Sequence, residues 1–231
     1  MTRPDQMRVD SKALHSGKYV DEYEHKPISR IARLAALMKL GRHERLLDVA
    51  CGNAMLLEVV HNKVASYDGV DFSEDFAEAA RKRSVRFPDT PCSIHCEEII
   101  SFCSRRPEQF EVATALDFTE HVEDEELIPI LRAVRSSLVP GGRLYLHTPN
   151  LDFVLERMRD AGVILRQRPE HVAVRTAREN VQVLVAAGFE RARVRAHLIP
   201  HYNILKILHP FSFVPLIGPW LKARVFIECT K

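Results

Sequence analysis

The chain has 231 residues, 46% of them hydrophobic, which suffices for one α/β domain and falls short of two full ones. Its 33 basic residues nearly balance 31 acidic ones, and a net charge of +2 gives no electrostatic footprint for nucleic acid, so a small-molecule partner is expected. Five irregularly spaced cysteines (Cys51, Cys92, Cys96, Cys103, Cys229) argue against a disulfide framework; no apolar run follows the first basic residues and no spanning stretch exists, so a cytoplasmic protein without signal peptide is expected.

Residues 1–16 are polar. From Tyr19 to Leu40 the pattern turns helical, with Ile28, Ile31, Leu34, Leu37 and Met38 at spacings of three and four, and Gly41 is a stop signal. Arg45 to Ala50 reads as a buried strand, Met55 to Lys63 as a helix, and Tyr67 to Phe72 as a second strand. Ser73 then caps a helix running to about Arg86, as a simple cap because Phe76 stands where a capping box needs Glu or Gln. Strands follow at Cys92–Cys96 and Glu111–Leu116. A helix from Glu125 to Leu138 is ended by Pro140-Gly141-Gly142, and a fifth strand covers Arg143–His147. A helix over Thr176–Ala187 is closed by Gly188, and strands at Phe189–His197 and Arg224–Thr230 complete the series. This alternation predicts a doubly wound, mainly parallel sheet with helices on both faces, in a single domain over residues 1–231.

In such a sheet ligands sit beyond the carboxyl ends of the strands. The first strand ends in Asp48-Val49-Ala50-Cys51-Gly52-Asn53-Ala54, whose small residues let backbone approach a ligand. The second ends at Asp71, an acid placed to accept hydrogen bonds from ribose hydroxyls. Together they indicate an adenosine-containing cofactor. A nicotinamide dinucleotide wants three glycines for its pyrophosphate, and this loop has one, behind the repelling carboxylate of Asp48. S-adenosylmethionine carries no phosphate but two cationic centres, so electrostatics favours it.

At these residues a family resemblance appears. LLDVACGNA, GVDFSE, FEVATALDFTEHV and LVPGGRLYLHTPN resemble, in order, motifs of the class I S-adenosylmethionine-dependent methyltransferases. The succession EHV, PGG, TPN, EHVAVRT and AAGFE is similar to the branch that holds ubiquinone-biosynthesis O-methyltransferases and small-molecule relatives. Ala50 and Ala54 depart from the glycines common there. The resemblance implies a seven-stranded Rossmann-like sheet whose last strand is antiparallel. It implies that Asp48, Ala50 and Gly52 lie along the methionine part and sugar, and that Asp71, with Phe72 beside it, holds the ribose. Glu97 would stand near the adenine amine, with Glu98 as rival, and Leu116 near the cofactor's amino-acid end.

The catalytic candidates are Asp117, Glu120 and His121. Three roles stay open: His121 as general base, a loop-orienting or structural role, and a divalent metal on all three, the last not favoured. Glu123 to Glu126 read as an acidic helix start. His147 and Asn150 stand as substrate contacts or packing, and the basic stretch Arg166, Arg168, His171, Arg175 and Arg178 as a solvated face or a contact for an acidic substrate group. The chain thus divides into a helical lid (1–40) carrying Tyr19 and Tyr23, a cofactor core (41–197), a variable acceptor-side insert (198–223) and the last strand (224–231). The insert holds Tyr202, Phe211, Phe213 and Trp220 among prolines that forbid one long helix. It reads as a pocket wall, as packing, or as contact with a membrane surface through Lys206 and Lys222. The expected reaction is methyl transfer to a small organic acceptor, first to oxygen. A nicotinamide-dependent oxidoreductase and a non-catalytic scaffold are the alternatives; oligomeric state is left open.

Overall fold

A computed structural model of the chain describes residues 27–160, 172–199 and 210–231. Its elements, in chain order, are α1 (Ile28–Ala35), β1 (Arg45–Val49), α2 (Leu57–Val60), β2 (Ser66–Asp71), α3 (Glu74–Ser84), β3 (Cys92–Cys96) and α4 (Ile99–Ser104). Then follow β4 (Phe110–Leu116), a 3-10 turn (Thr119–His121), α5 (Asp124–Ser137), β5 (Leu138–Pro149), α6 (Val154–Asp160), α7 (Ala177–Ala186), β6 (Val194–Ile199) and β7 (Arg224–Thr230).

The seven strands form one sheet in the order β3-β2-β1-β4-β5-β7-β6. The pairs from β3 to β5 are parallel, and β7 runs antiparallel to both β5 and β6, as the sequence led us to expect. Alternate residues of β1 feed two cores. Leu47 and Val49 join Leu127, Leu131, Val134 and Leu184 of α5 and α7 on one face. Leu46 joins Ile31 and Leu34 of α1, Leu57 and Val60 of α2, and Tyr67 on the other. Helix α1 is therefore core packing for this sheet; Tyr19 and Tyr23 lie outside the described residues.

Local signals place the helices. Ser73 Oγ accepts from Phe76 N at the start of α3. Thr176 makes a full capping box with Glu179 on α7, which the sequence reading missed, and Gly188 closes that helix at φ 99°. Four elements depart from expectation. Helices α4 and α6 were not anticipated. Pro140-Gly141-Gly142 is not a separate helix stop, because β5 begins at Leu138 and carries those residues as a bulge, with Val139 to Gly142 facing Glu111 alone. Phe189 precedes β6, which starts only at Val194. Among the described residues no helix is long and apolar enough to cross a membrane.

Candidate active site

Five parallel strands bring their carboxyl ends to one edge, and the sequence candidates gather there. The loop after β1 takes left-handed backbone at alternate positions: Ala50 (φ 52°), Gly52 (φ 53°) and Ala54 (φ 55°). Each alanine accepts roughly 1 kcal/mol of strain that glycine would not. The loop is fixed from β2. Asp71 Oδ2 accepts from Gly52 N (2.9 Å), Asp71 Oδ1 accepts from Ser73 N (3.0 Å), and Cys51 N donates to Val70 O (3.1 Å). Asp71 is thus a brace between two loops as well as an acid at the strand end; its carboxylate oxygens keep further lone pairs for a ligand.

Asp48 lies deeper. Its buried carboxyl accepts from Tyr67 Oη (2.5 Å) and Thr114 Oγ1 (2.7 Å), tying β1 to the strand on either side. Burial pushes it up to about 6, against those two hydrogen bonds, which pull it down. Asn53 is fully buried in the same loop, and neither its amide nitrogen nor its oxygen has a hydrogen-bond partner among the described residues. An amino-acid moiety, with an ammonium and a carboxylate, has the donors and acceptors such an amide lacks. Left-handed loop, ribose-competent acid and open amide fit S-adenosylmethionine.

Phe72 is half-buried, and its carbonyl accepts from Cys96 Sγ (3.7 Å). Glu97 N donates to Asp71 O (3.1 Å), and its carboxylate pairs with Arg105, whereas Glu98 is exposed at the start of α4. Of the two, Glu97 is the one fastened beside Asp71. Leu116 ends β4, half-buried, immediately before Asp117.

Asp117, itself left-handed (φ 53°), meets three cationic or basic groups: Arg30 of α1 (2.5 Å), His147 of β5 (3.0 Å) and Arg224 of β7 (3.3 Å). Burial alone would raise this carboxyl, but His147, Arg30 and Arg224 outweigh it and hold it well below the usual range. Burial lowers His147, against the pull of Asp117. Glu120 is buried three residues on, with Thr148 Oγ1 donating to it at 3.1 Å. Burial first, and the Asp117 charge second, push Glu120 up to about 7. His121 is half-buried at the end of the same turn.

Asp117, Glu120 and His121 do not form a metal-holding set: among the described residues no three His, Cys, Asp or Glu side chains gather in that way. The reason is visible at Asp117, which faces cations where a metal site needs an open anion. His147 and Asn150 are both fully buried, which favours packing over substrate contact.

Sequence reasoning missed Arg175. Grouped with a solvated basic face, it is instead buried and clamps the Thr119–His121 turn, donating to Thr119 O (2.6 Å), Val122 O (2.7 Å), Ala173 O (2.9 Å) and Asp124 Oδ1 (2.7 Å). Arg30 and Arg224 were missed as well, since nothing in their spacing points to Asp117. Arg178 is exposed as expected; Arg166, Arg168 and His171 lie outside the described residues.

Comparison with known proteins agrees with this geometry. The sequence profile described as "Methyltransferase domain" matches residues 19–193. A ubiquinone biosynthesis O-methyltransferase of Chromobacterium violaceum is 27% identical over 156 residues, covering 65% of this chain and 66% of the relative. One of Idiomarina loihiensis is 31% identical over 107 residues, covering 46% and 43%. The chain thus matches between about half and two thirds of the length of these relatives. A crystal structure of an S-adenosylmethionine-dependent methyltransferase from Archaeoglobus fulgidus superposes with a TM-score of 0.69 at 15% identity, covering 92% of this chain and 98% of that one. Profile, sheet order and the loop between Asp48 and Asp71 converge: this chain belongs to the methyltransferase domain family and has the fold of its S-adenosylmethionine-dependent members.

Proposed function

We propose that the chain transfers a methyl group from S-adenosylmethionine to a hydroxyl oxygen of a small, quinone-like or otherwise apolar acceptor. The observation that carries the reading is the Gly52–Asp71 brace, which sets a left-handed, phosphate-averse loop beside a ribose-competent acid. The two relatives, O-methyltransferases of ubiquinone biosynthesis, support oxygen as the accepting atom. When bound, the cofactor supplies an activated methyl group on a sulfonium.

The chain's own residues divide the remaining work. Asp71 accepts the ribose hydroxyls while holding the loop; backbone from Ala50 to Gly52 borders the methionine part, with Asp48 behind it and Leu116 opposite; Glu97 borders the adenine. Holding donor and acceptor in line contributes on the order of 7–11 kcal/mol in well-aligned systems. The hydroxyl proton goes to His121. Asp117 is too acidic to take it, and Glu120 is buried behind Thr148, which leaves the imidazole as the accessible base of the turn.

Calorimetry against S-adenosylhomocysteine and NAD, followed by radiolabelled methyl transfer to a panel of phenols, catechols and quinols, tests the reading. Binding of S-adenosylhomocysteine and not NAD is expected. His121→Asn should lower kcat by about 100-fold or more with little change in cofactor affinity. Binding of NAD alone, or tight cofactor retention with no turnover on any acceptor, would sink it.

A further inference from the structure

Two short 3-10 turns, Pro210–Phe213 and Gly218–Leu221, are pressed into one knob just before β7. Gly218 N donates to Val214 O (2.9 Å), and a Cβ on Gly218 would fall 2.3 Å from Ser212 O, so the turns touch backbone to backbone. The knob turns its large side chains outward. Phe211, Phe213, Val214, Leu216, Ile217 and Trp220 are all exposed, Leu216 at 91% and Trp220 at 56%. Leu216 also sits at φ 76°, a left-handed position that a branched side chain avoids. Exposure and strain at the same residue both cost stability.

We propose that this knob is a docking surface for an anionic phospholipid bilayer. A wall of an enclosed acceptor pocket would be shielded by whatever it faced, whereas Leu216 is almost fully exposed. A second copy of the chain would need a broad matching face of about 800 Å² on each side, and this is a twelve-residue projection. A bilayer needs only an apolar projection with an aromatic at the interface and no anions around it. From Leu198 to Ala223 the sequence has no Asp or Glu, and its charged residues are Lys206 and Lys222. The knob is tethered to the site: Asn150, just past β5, donates from Nδ2 to Lys222 O (2.9 Å) and from N to Ala223 O (3.0 Å). Docking therefore turns the carboxyl edge of the sheet toward the lipid. The surface does not depend on which acceptor is methylated.

Flotation of the full chain with vesicles of phosphatidylcholine alone, and with added phosphatidylglycerol, tests the proposal. The chain should float with the anionic vesicles. Leu216→Asn and Trp220→Gln should each cut the bound fraction on the order of ten-fold, as expected for removing one large apolar group from the lipid. Asparagine tolerates left-handed backbone, so Leu216→Asn should keep or raise Tm and leave S-adenosylhomocysteine affinity unchanged, which separates lost docking from lost folding. Wild-type chain that stays with neither vesicle type, equal flotation with both, or variants that float like wild type would overturn it. So would a wild-type dimer in light scattering that Leu216→Asn splits.

Discussion

Asp117 and His147 are joined twice: Asp117 N donates to His147 O (2.7 Å), and the Asp117 Oδ1 and His147 Nδ1 atoms lie 3.0 Å apart. The backbone bond closes the end of β4 onto β5, and the side-chain contact sets the carboxylate where Arg30 and Arg224 also reach it. A single acid thus holds four distant parts of the chain at the carboxyl edge of the sheet.

Asp117→Asn keeps the shape and tolerates the left-handed backbone, but leaves two guanidiniums facing one another without an anion. Removing one partner from a buried ion group costs about 3–5 kcal/mol, and the partial exposure of Arg30 and Arg224 puts the expected loss toward the lower end. Urea denaturation reads it directly. Adding Arg30→Met should restore part of the loss; equal stability of wild type and Asp117→Asn would contradict the arrangement.

Glu120 makes stability depend on pH with a definite sign. Its carboxyl is raised to about 7 in the folded chain, so the folded state holds a proton that the unfolded state has released. The contribution of Glu120 to stability is then fully present below about pH 4.5 and is lost as pH rises from there to about 7. Asp48, raised to about 6, acts in the same direction. Glu120→Gln should flatten the fall of Tm between about pH 4.5 and 7, the span between the ordinary carboxyl value and the raised one. An unchanged slope would show that Glu120 titrates elsewhere.

Tyr67→Phe removes one of the two donors that hold Asp48. With the carboxyl still buried, its titration should move above 6. The stability loss should be small at pH 5, where Asp48 is protonated, and about 1–3 kcal/mol at pH 8, where a charged acid has lost a partner. Denaturation at the two pH values distinguishes this from a uniform packing defect.

Asp71→Asn tests brace and ligand site together. An amide keeps one acceptor oxygen but loses the charge, so either Gly52 N or Ser73 N goes unsatisfied. S-adenosylhomocysteine affinity should weaken about 10–100-fold, the scale of a hydrogen bond to a charged group, with a measurable fall in Tm. Unaltered affinity in a folded variant would remove Asp71 from the ribose role.

The sheet was legible wherever burial imposed a period on the sequence. Arg224–Thr230 matches its expected limits because the buried run Val225-Phe226-Ile227 is flanked by charged residues, and Cys92–Cys96 matches because Pro91 and Glu97 bound it. Helix α4 was not legible, since its six residues, IISFCS, include β-branched and polar types; Phe102 and Cys103 become helical by packing into the core. In the site, the loop and its acids could be read because they are contiguous motifs. Arg30, His147, Arg175 and Arg224 could not, because their meeting with the Asp117–Asp124 segment is set by sheet order, with up to 107 residues between partners. The insert at 198–223 reads in sequence as pocket wall, packing or membrane contact, and only the fold shows that Phe211, Phe213 and Trp220 are exposed.

The alternation of Ala50, Gly52 and Ala54 in left-handed backbone also bears on how a ligand is received. Glycine at all three positions would leave the loop many conformations; alanine in that region has one narrow well. The configurational entropy of the loop is therefore surrendered when the chain folds, and little remains to be lost on association. Such a loop is preorganised, and its ligand should bind with a correspondingly small entropic penalty. Calorimetry on the Ala50→Gly, Ala54→Gly double variant should show a more unfavourable entropy for the same contacts.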